Sequence, residues 1–183
     1  MPELTMQTET TPMRAMQPIL RKPDATDGKL IWELVRSCRP LDENSIYANI
    51  IQADHFRDTC VLAELNGDVV GWISGHMIPN SDAFFVWQVA VSPKARGLGL
   101  GKKMLRELLS RDATAEAREL KTTITQSNEA SWGLFRSFAR DVGGDLTDQP
   151  HFTEDEHFHG ECATEHMVTI TLPRAQASIA RAA

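Results

Sequence analysis

The sequence contains no run of about 18 apolar residues, so no helix crossing a membrane is expected. It has no excess of basic charge either. Lys and Arg number 19 against 25 Asp and Glu, a net charge of -6 at pH 7. That argues against nucleic acid as a partner, because phosphate binding needs a basic face, and leaves room only for a small local basic site. Cysteine is scarce: Cys38, Cys60 and Cys162 are odd in number and widely spaced. This excludes a disulfide framework and points to a reducing, cytoplasmic setting. No C-x₂-C pair exists to start a zinc site, so His151, His157, His159 and His166 beside Cys162 read as surface histidines and no metal is expected. The first residues show no charged stretch leading into an apolar core, so a secretory signal is not expected. No internal repeat is seen.

What is present fits one globular domain. The chain of 183 residues is 42% hydrophobic and 24% charged, enough for one real core and too short for two comfortable domains. Residues 1–17 read as a flexible leader, 18–172 as the domain and 173–183 as a frayed tail. A short strand opens at Pro18. The segment from Asp24 to Cys38 reads as a helix capped by Asp24–Asp27, with Leu30, Ile31, Leu34 and Val35 on its apolar face. The segment LDENSIYANIIQ reads as a second helix with Ile46, Tyr47, Ile50 and Ile51 facing inward. Two strands, TCVLAEL and DVVGWISGHM, flank Asn66–Gly67, a good hairpin turn because both positions tolerate positive φ. AFFVWQVAV is apolar on both faces, so it reads as a central strand. A helix with Met104, Leu105, Leu108 and Leu109 on one face follows, then the strand LKTTIT. The next helix carries Trp132, Phe135 and Phe138 and ends at Gly143–Gly144. The polar stretch HFTEDEHFHGECATE reads as loop and EHMVTITL as the last strand. The order β, α, α, β, β, β, α, β, α, β predicts a mixed sheet covered by helices, an α/β (α+β) class.

The stretch VWQVAVSPKARGLGLGKKML is the chemical focus. A hydrophobic strand runs into a turn with three glycines in five residues and then directly into a helix. A P-loop would need its first glycine at position 96, which is Arg96, and a hydroxyl after Lys102, where Lys103 stands. A dinucleotide fingerprint fails because position 102 is Lys, not Gly. An Arg-x-x-Gly-x-Gly turn remains: Arg96, Gly99, Gly101. Helix N-terminal N–H groups carry partial positive charge, glycines permit close approach, and Arg96 and Lys102 add charge. The pattern suits a pyrophosphate; a merely tight turn is the bland alternative.

This stretch resembles the acetyl-CoA-binding motif of the GCN5-related N-acetyltransferases (GNAT). ITQSNEASWGLFRSF is similar to that family's next motif. The resemblance covers about residues 18–172. It implies the GNAT fold, a central mixed and mostly antiparallel sheet flanked by helices, with acetyl-CoA as co-substrate. It implies that Val89 and Val91 offer backbone groups to the pantetheine arm, that Arg96, Gly97, Gly99, Gly101 and Lys102 hold the pyrophosphate, and that Asn128 contacts the cofactor. Many members use a tyrosine as acid for the departing thiolate; the matching position here is Phe135.

Acetyl transfer to an amine requires a neutral amine, yet alkylamines arrive protonated with a pKa of about 10, so a base is required. Asp42, Glu43, Tyr47, Trp87 and the carboxylates Glu154, Asp155, Glu156, Glu161 and Glu165 are candidates to meet a cation; most of the late carboxylates read as solvated surface. The segments RKPDATDG, LIWELVRSCRPLDENSIYAN and TITQSNEASWGLF are together most similar to one subfamily, the diaminobutyrate acetyltransferases of ectoine biosynthesis. This implies acetylation of the γ-amine of L-2,4-diaminobutyrate and substrate contacts at Asp42, Tyr47, Trp87 and Glu165. Glu165 and Asp42 are the catalytic candidates, in a cytoplasmic homodimer. Where that subfamily carries Gly-Glu-His, this chain reads Gly160-Glu161-Cys162, which leaves Glu165 more exposed to the role of base. Acetylation of another small amine and a non-catalytic acyl-CoA sensor are the competing readings.

Overall fold

The computed structural model describes residues 17–173. Apart from Gln17 and Pro173, the expected leader and tail lie outside the described residues. The elements, in order, are β1 (Ile19–Arg21), α1 (Gly28–Ser37), α2 (Ile46–His55), β2 (Val61–Leu65), β3 (Asp68–Met77), β4 (Ala83–Val91), α3 (Leu100–Leu109), β5 (Glu119–Thr125), α4 (Glu129–Val142), β6 (Asp145–Phe152) and β7 (Glu165–Thr171). The strands form one sheet in the order β1-β2-β3-β4-β5-β7-β6. Only β4 and β5 run parallel. The apolar AFFVWQVAV strand is central, as its two-faced hydrophobicity predicts. The turn at Asn66 and Gly67 has φ of 55° and 84°, as expected for a tight hairpin.

Each face of the sheet carries a helical layer. α3 and α4 bury Met104, Leu105, Leu108, Trp132, Phe135 and Phe138 against one face. α1 buries Ile31, Leu34 and Val35 against the other, with Trp72 and Ala90 beneath it. Full burial of a side chain such as Phe138 stabilises by about 1.5–3 kcal/mol. Arg21 ties the first strand to this layer: it donates to both carboxylate oxygens of the buried Asp27 at 2.7 Å and to Glu64 at 2.7 Å. Asp27 also accepts from the Asp24 backbone N–H, completing a reciprocal cap before α1.

Three expectations fail. Leu30 is 46% exposed, because the apolar stripe of α1 is narrower than four residues. α2 is turned about its axis: Asn49, Gln52 and Ala53 face inward, Ile46 and Tyr47 face outward, and Ile50 and Ile51 are only partly covered. The periodicity is present but it marks the outer side. The expected loop from His151 to Glu165 loses its ends to strands: His151 and Phe152 close β6, and Glu165 opens β7, while 153–164 is irregular as expected. β6 lies at the edge of the sheet, nearly all of it exposed, where a polar sequence and Pro150 are tolerated.

Candidate active site

β4 and β5 pair only through Ala83–Phe85 and Glu119–Lys121. Beyond those positions the two parallel strands splay apart. From Val86 onward the β5-facing edge of β4 has no strand partner among the described residues, so its backbone donors and acceptors face a groove. The groove encloses about 590 Å³, within the usual range for small-molecule sites. Val89 and Val91 line one wall, Arg96, Gly97, Gly99, Leu100 and Gly101 the end, and Asn128, Ala130, Ser131 and Leu134 the other wall.

The three glycines have different jobs. Gly97 and Gly99 adopt φ of 78° and 66°, a left-handed backbone that L side chains rarely take, and a Cβ at either would meet no atom within 4 Å. Their requirement is conformational. Gly99 caps α3, and the first intrahelical bond runs from Lys103 N–H to the Gly99 carbonyl. The N–H groups of Leu100, Gly101 and Lys102 precede that bond and have no acceptor within the helix. Gly101 is helical, and a Cβ there would lie 3.1 Å from the Leu134 side chain. It lets α3 approach α4 beside the groove.

Asn128 lines the groove and also caps α4, accepting from Ser131 N–H at 3.1 Å. Lys102 does not line the groove. Its ammonium donates to Ser137 at 3.1 Å and pairs with Asp141 at 2.8 Å, joining α3 to α4. Phe135 is 2% exposed and belongs to the core. Residues of the turn after α1, Cys38, Arg39, Pro40 and Leu41, also line the groove. Nothing in their types announces this; Cys38 is buried and its thiol donates to the Val91 carbonyl at 3.4 Å. Ala130, Ser131 and Leu134 sit on α4 beside the Trp132, Phe135 and Phe138 face, and Leu134 packs against the same core.

The groove lining includes Leu41 and Val89 but none of Asp42, Tyr47, Trp87 and Glu165, which stand beside it. Trp87 stands at an irregularity in the β3–β4 ladder, where Ser74 pairs with Gln88 and Gly75 with Val86, so Trp87 is the extra residue. The bulge holds it 56% exposed. Across the splay, two residues beyond the last paired position of each strand, Thr123 of β5 faces the same gap. Thr123 is near enough to Glu165, at the start of β7, to favour its ionised form. Burial and then the nearby Asp42 carboxylate push the Glu165 carboxyl above its ordinary range, with Thr123 and His166 opposing the rise. The fold therefore brings the Asp42 charge, far away in sequence, to bear on Glu165. Asp42 is exposed on the connection between α1 and α2, and Tyr47, 71% exposed, lies on the first turn of α2. A partly buried base facing an exposed carboxylate and an aromatic ring can receive a cationic amine and take its proton.

The other candidates separate clearly. Glu154, Asp155, Glu156 and Glu161 are exposed, as is Cys162. His151, His157 and His159 are exposed, but His166 is not a surface residue: it is buried, 3.0 Å from Asp148 and 3.3 Å from Gln126. β-strand alternation turns it away from Glu165 into the α4 layer. Among the described residues no three His, Cys, Asp or Glu stand together at metal-holding geometry, and no helix is long and apolar enough to cross a membrane. Burial pushes the Cys60 thiol up to about 12, so it offers no thiolate.

Residues 29–139 match the acetyltransferase (GNAT) family. The chain is 44% identical over 155 residues to an L-2,4-diaminobutyric acid acetyltransferase of Vibrio parahaemolyticus, covering 84% of this chain and 86% of that one. It is 44% identical over 153 residues to the enzyme of that name from Halomonas elongata, covering 82% and 79%. Among solved structures it is similar to a diaminobutyrate acetyltransferase of Paenibacillus lautus in complex with its substrate L-2,4-diaminobutyric acid and coenzyme A. That match has a TM-score of 0.80 and 36% identity and covers 85% of this chain and 95% of that one. The splayed strands, the left-handed glycine turn and these relatives together establish that the chain belongs to the GNAT acetyltransferase family.

Proposed function

We propose that this protein transfers the acetyl group of acetyl-CoA to the γ-amine of L-2,4-diaminobutyrate, giving the N4-acetyl product, in the cytoplasm. The observation that carries the reading is a partly buried Glu165 within reach of the Asp42 charge beside the groove, in a chain so similar to enzymes named for this substrate. The residues present fit the cofactor: an open strand edge at Val89 and Val91 for an amide-containing arm, and left-handed glycines, helix N–H groups and Arg96 for a pyrophosphate. Acetyl-CoA, when bound, supplies the thioester carbonyl that the amine attacks.

The chain's own residues do the rest. Diaminobutyrate carries two ammonium groups and one carboxylate. Asp42 holds the α-ammonium, Trp87 and Tyr47 wall the site, and Glu165 takes the proton of the γ-ammonium, directly or through water. Desolvation makes Glu165 a stronger base than a free carboxylate, which suits an alkylammonium donor. A chain shorter or longer than four carbons would misplace one nitrogen against the two fixed carboxylates. Position 135 offers no hydroxyl, so the thiolate leaves without the acid many relatives use. The outer side of α2, with Ile46 and Phe56 exposed, supports a homodimer. Placement in ectoine biosynthesis, and through it in osmotic stress, follows from the subfamily resemblance.

The test is acetyl-CoA turnover, followed as free thiol, with L-2,4-diaminobutyrate, ornithine, lysine and spermidine. Fast release with diaminobutyrate alone, with acetyl on the γ-nitrogen, is expected. Equal rates with all four would make it an acetyltransferase of another amine. Tight acetyl-CoA binding without turnover would make it an acyl-CoA sensor.

A further inference from the structure

We propose that Gln88 is a positioning residue that sets the place of the substrate loop, and with it the Asp42 carboxylate, through its side-chain amide. The proposal rests on the substrate reading above. Gln88 is 9% exposed and follows the bulged Trp87 on β4. Phe84 and Val86, before the bulge, pack with the α3/α4 layer; Ala90, after it, packs with the α1 layer. One extra residue reverses the strand's alternation, so the bulge that leaves Trp87 exposed also turns Gln88 toward the α1–α2 connection. There its amide N–H₂ donates to the Asp42 backbone carbonyl at 2.9 Å. Residues 42–45 carry no regular structure, so this bond fixes the height of Asp42 over the sheet.

The interior around it is unusual. Buried side-chain N and O atoms without a hydrogen-bond partner occur, among the described residues, on Asn49, Gln52, Trp72, Ser74 and Gln88. All five belong to the α1/α2 side: Trp72 and Ser74 alternate on β3, Ser74 pairs with Gln88, and Asn49 and Gln52 flank the inward-facing Ala53 of α2. A buried amide left half satisfied is costly where an apolar residue would pack at no such penalty. A leucine or methionine would fill the space under the loop. Only a side chain that reaches up as a donor holds the Asp42 carbonyl, and this accounts for an amide here.

The test compares wild type with Gln88→Leu and Gln88→Glu. In Gln88→Leu, KM for diaminobutyrate should rise five- to tenfold, with kcat within threefold and KM for acetyl-CoA unchanged. In Gln88→Glu, the ionised carboxylate cannot donate, so KM relative to wild type should rise at neutral pH and return toward one as the pH falls and the introduced carboxyl is protonated. Backbone ¹⁵N order parameters over residues 41–45 should fall in both variants at neutral pH while those of α3 are unchanged. This last readout needs no turnover, so it stands if the wild type proves inactive with diaminobutyrate, an outcome that would overturn only the substrate reading. Unchanged order parameters at 41–45, or a fall in thermal stability with unchanged KM for diaminobutyrate in an active enzyme, would overturn the positioning role.

Discussion

The cofactor half and the substrate half of the site are built from different materials. The groove between β4 and β5 is mostly backbone: a strand edge left open by a splay, two left-handed glycines, and the first N–H groups of α3. The substrate half is side chains gathered from far apart: Asp42 from an irregular loop, Trp87 from a bulge and Glu165 from the start of β7. Backbone sites demand local sequence, since a turn needs its glycines in order. Side-chain sites demand only that the fold bring the right groups together. Three substitutions break this division in different places.

The largest effect is expected at the base. Glu165→Gln keeps the shape and removes the proton acceptor, so kcat should fall about 10²–10⁴-fold, while acetyl-CoA affinity, measured by titration calorimetry, stays within twofold of wild type. Loss of both together would mean that the two halves are not separable. Gly99→Val should do the converse. A β-branched residue at φ of 66° costs about 1–2 kcal/mol, so KM for acetyl-CoA should rise roughly tenfold with KM for diaminobutyrate little changed. Lys102→Ala should have the smallest effect. Its ammonium is tied to Asp141 and Ser137, and a partly exposed pair contributes about 0.2–1 kcal/mol. Thermal denaturation should show a slight loss and KM for acetyl-CoA should move less than threefold. A tenfold rise would mean that Lys102 leaves Asp141 to hold the pyrophosphate.

The same division governs what the sequence reveals. The turn from Arg96 to Gly101 is readable because its spacing is its function, and the central strand, the hairpin at Asn66–Gly67 and the end of α4 at Gly143 follow from local chemistry. The inward face of α2 was not readable: Asn49 and Gln52 are buried while Ile46 and Tyr47 face out, the reverse of simple amphipathicity. Edge strand β6 hid in a polar sequence because an edge needs no apolar face. The bulge at Trp87 leaves no mark on an alternating apolar run, so neither the exposure of Trp87 nor the inward turn of Gln88 can be read from the residues. The resemblance to a subfamily singles out Asp42 and Glu165. The reach of the Asp42 charge to Glu165 depends on strand pairing across the chain, as Glu165 pairs with Thr125 on β5.

The raised Glu165 carboxyl has two consequences of opposite sign. For folding, a carboxyl whose folded pKa lies above its ordinary 4.5 favours the folded state while protonated, and that contribution is lost as pH rises through the folded value. For catalysis the ionised form is the base, so kcat/KM, which reports the free enzyme, is lost as pH falls through that same value. The measurement that tests the account most directly is therefore the pH dependence of kcat/KM for diaminobutyrate in wild type, Glu165→Gln and Asp42→Asn. The account predicts an acidic limb above pH 4.5 in wild type, its disappearance in Glu165→Gln, and its displacement to lower pH in Asp42→Asn, where the neighbouring charge is gone. An acidic limb that stays in place in both variants would contradict it.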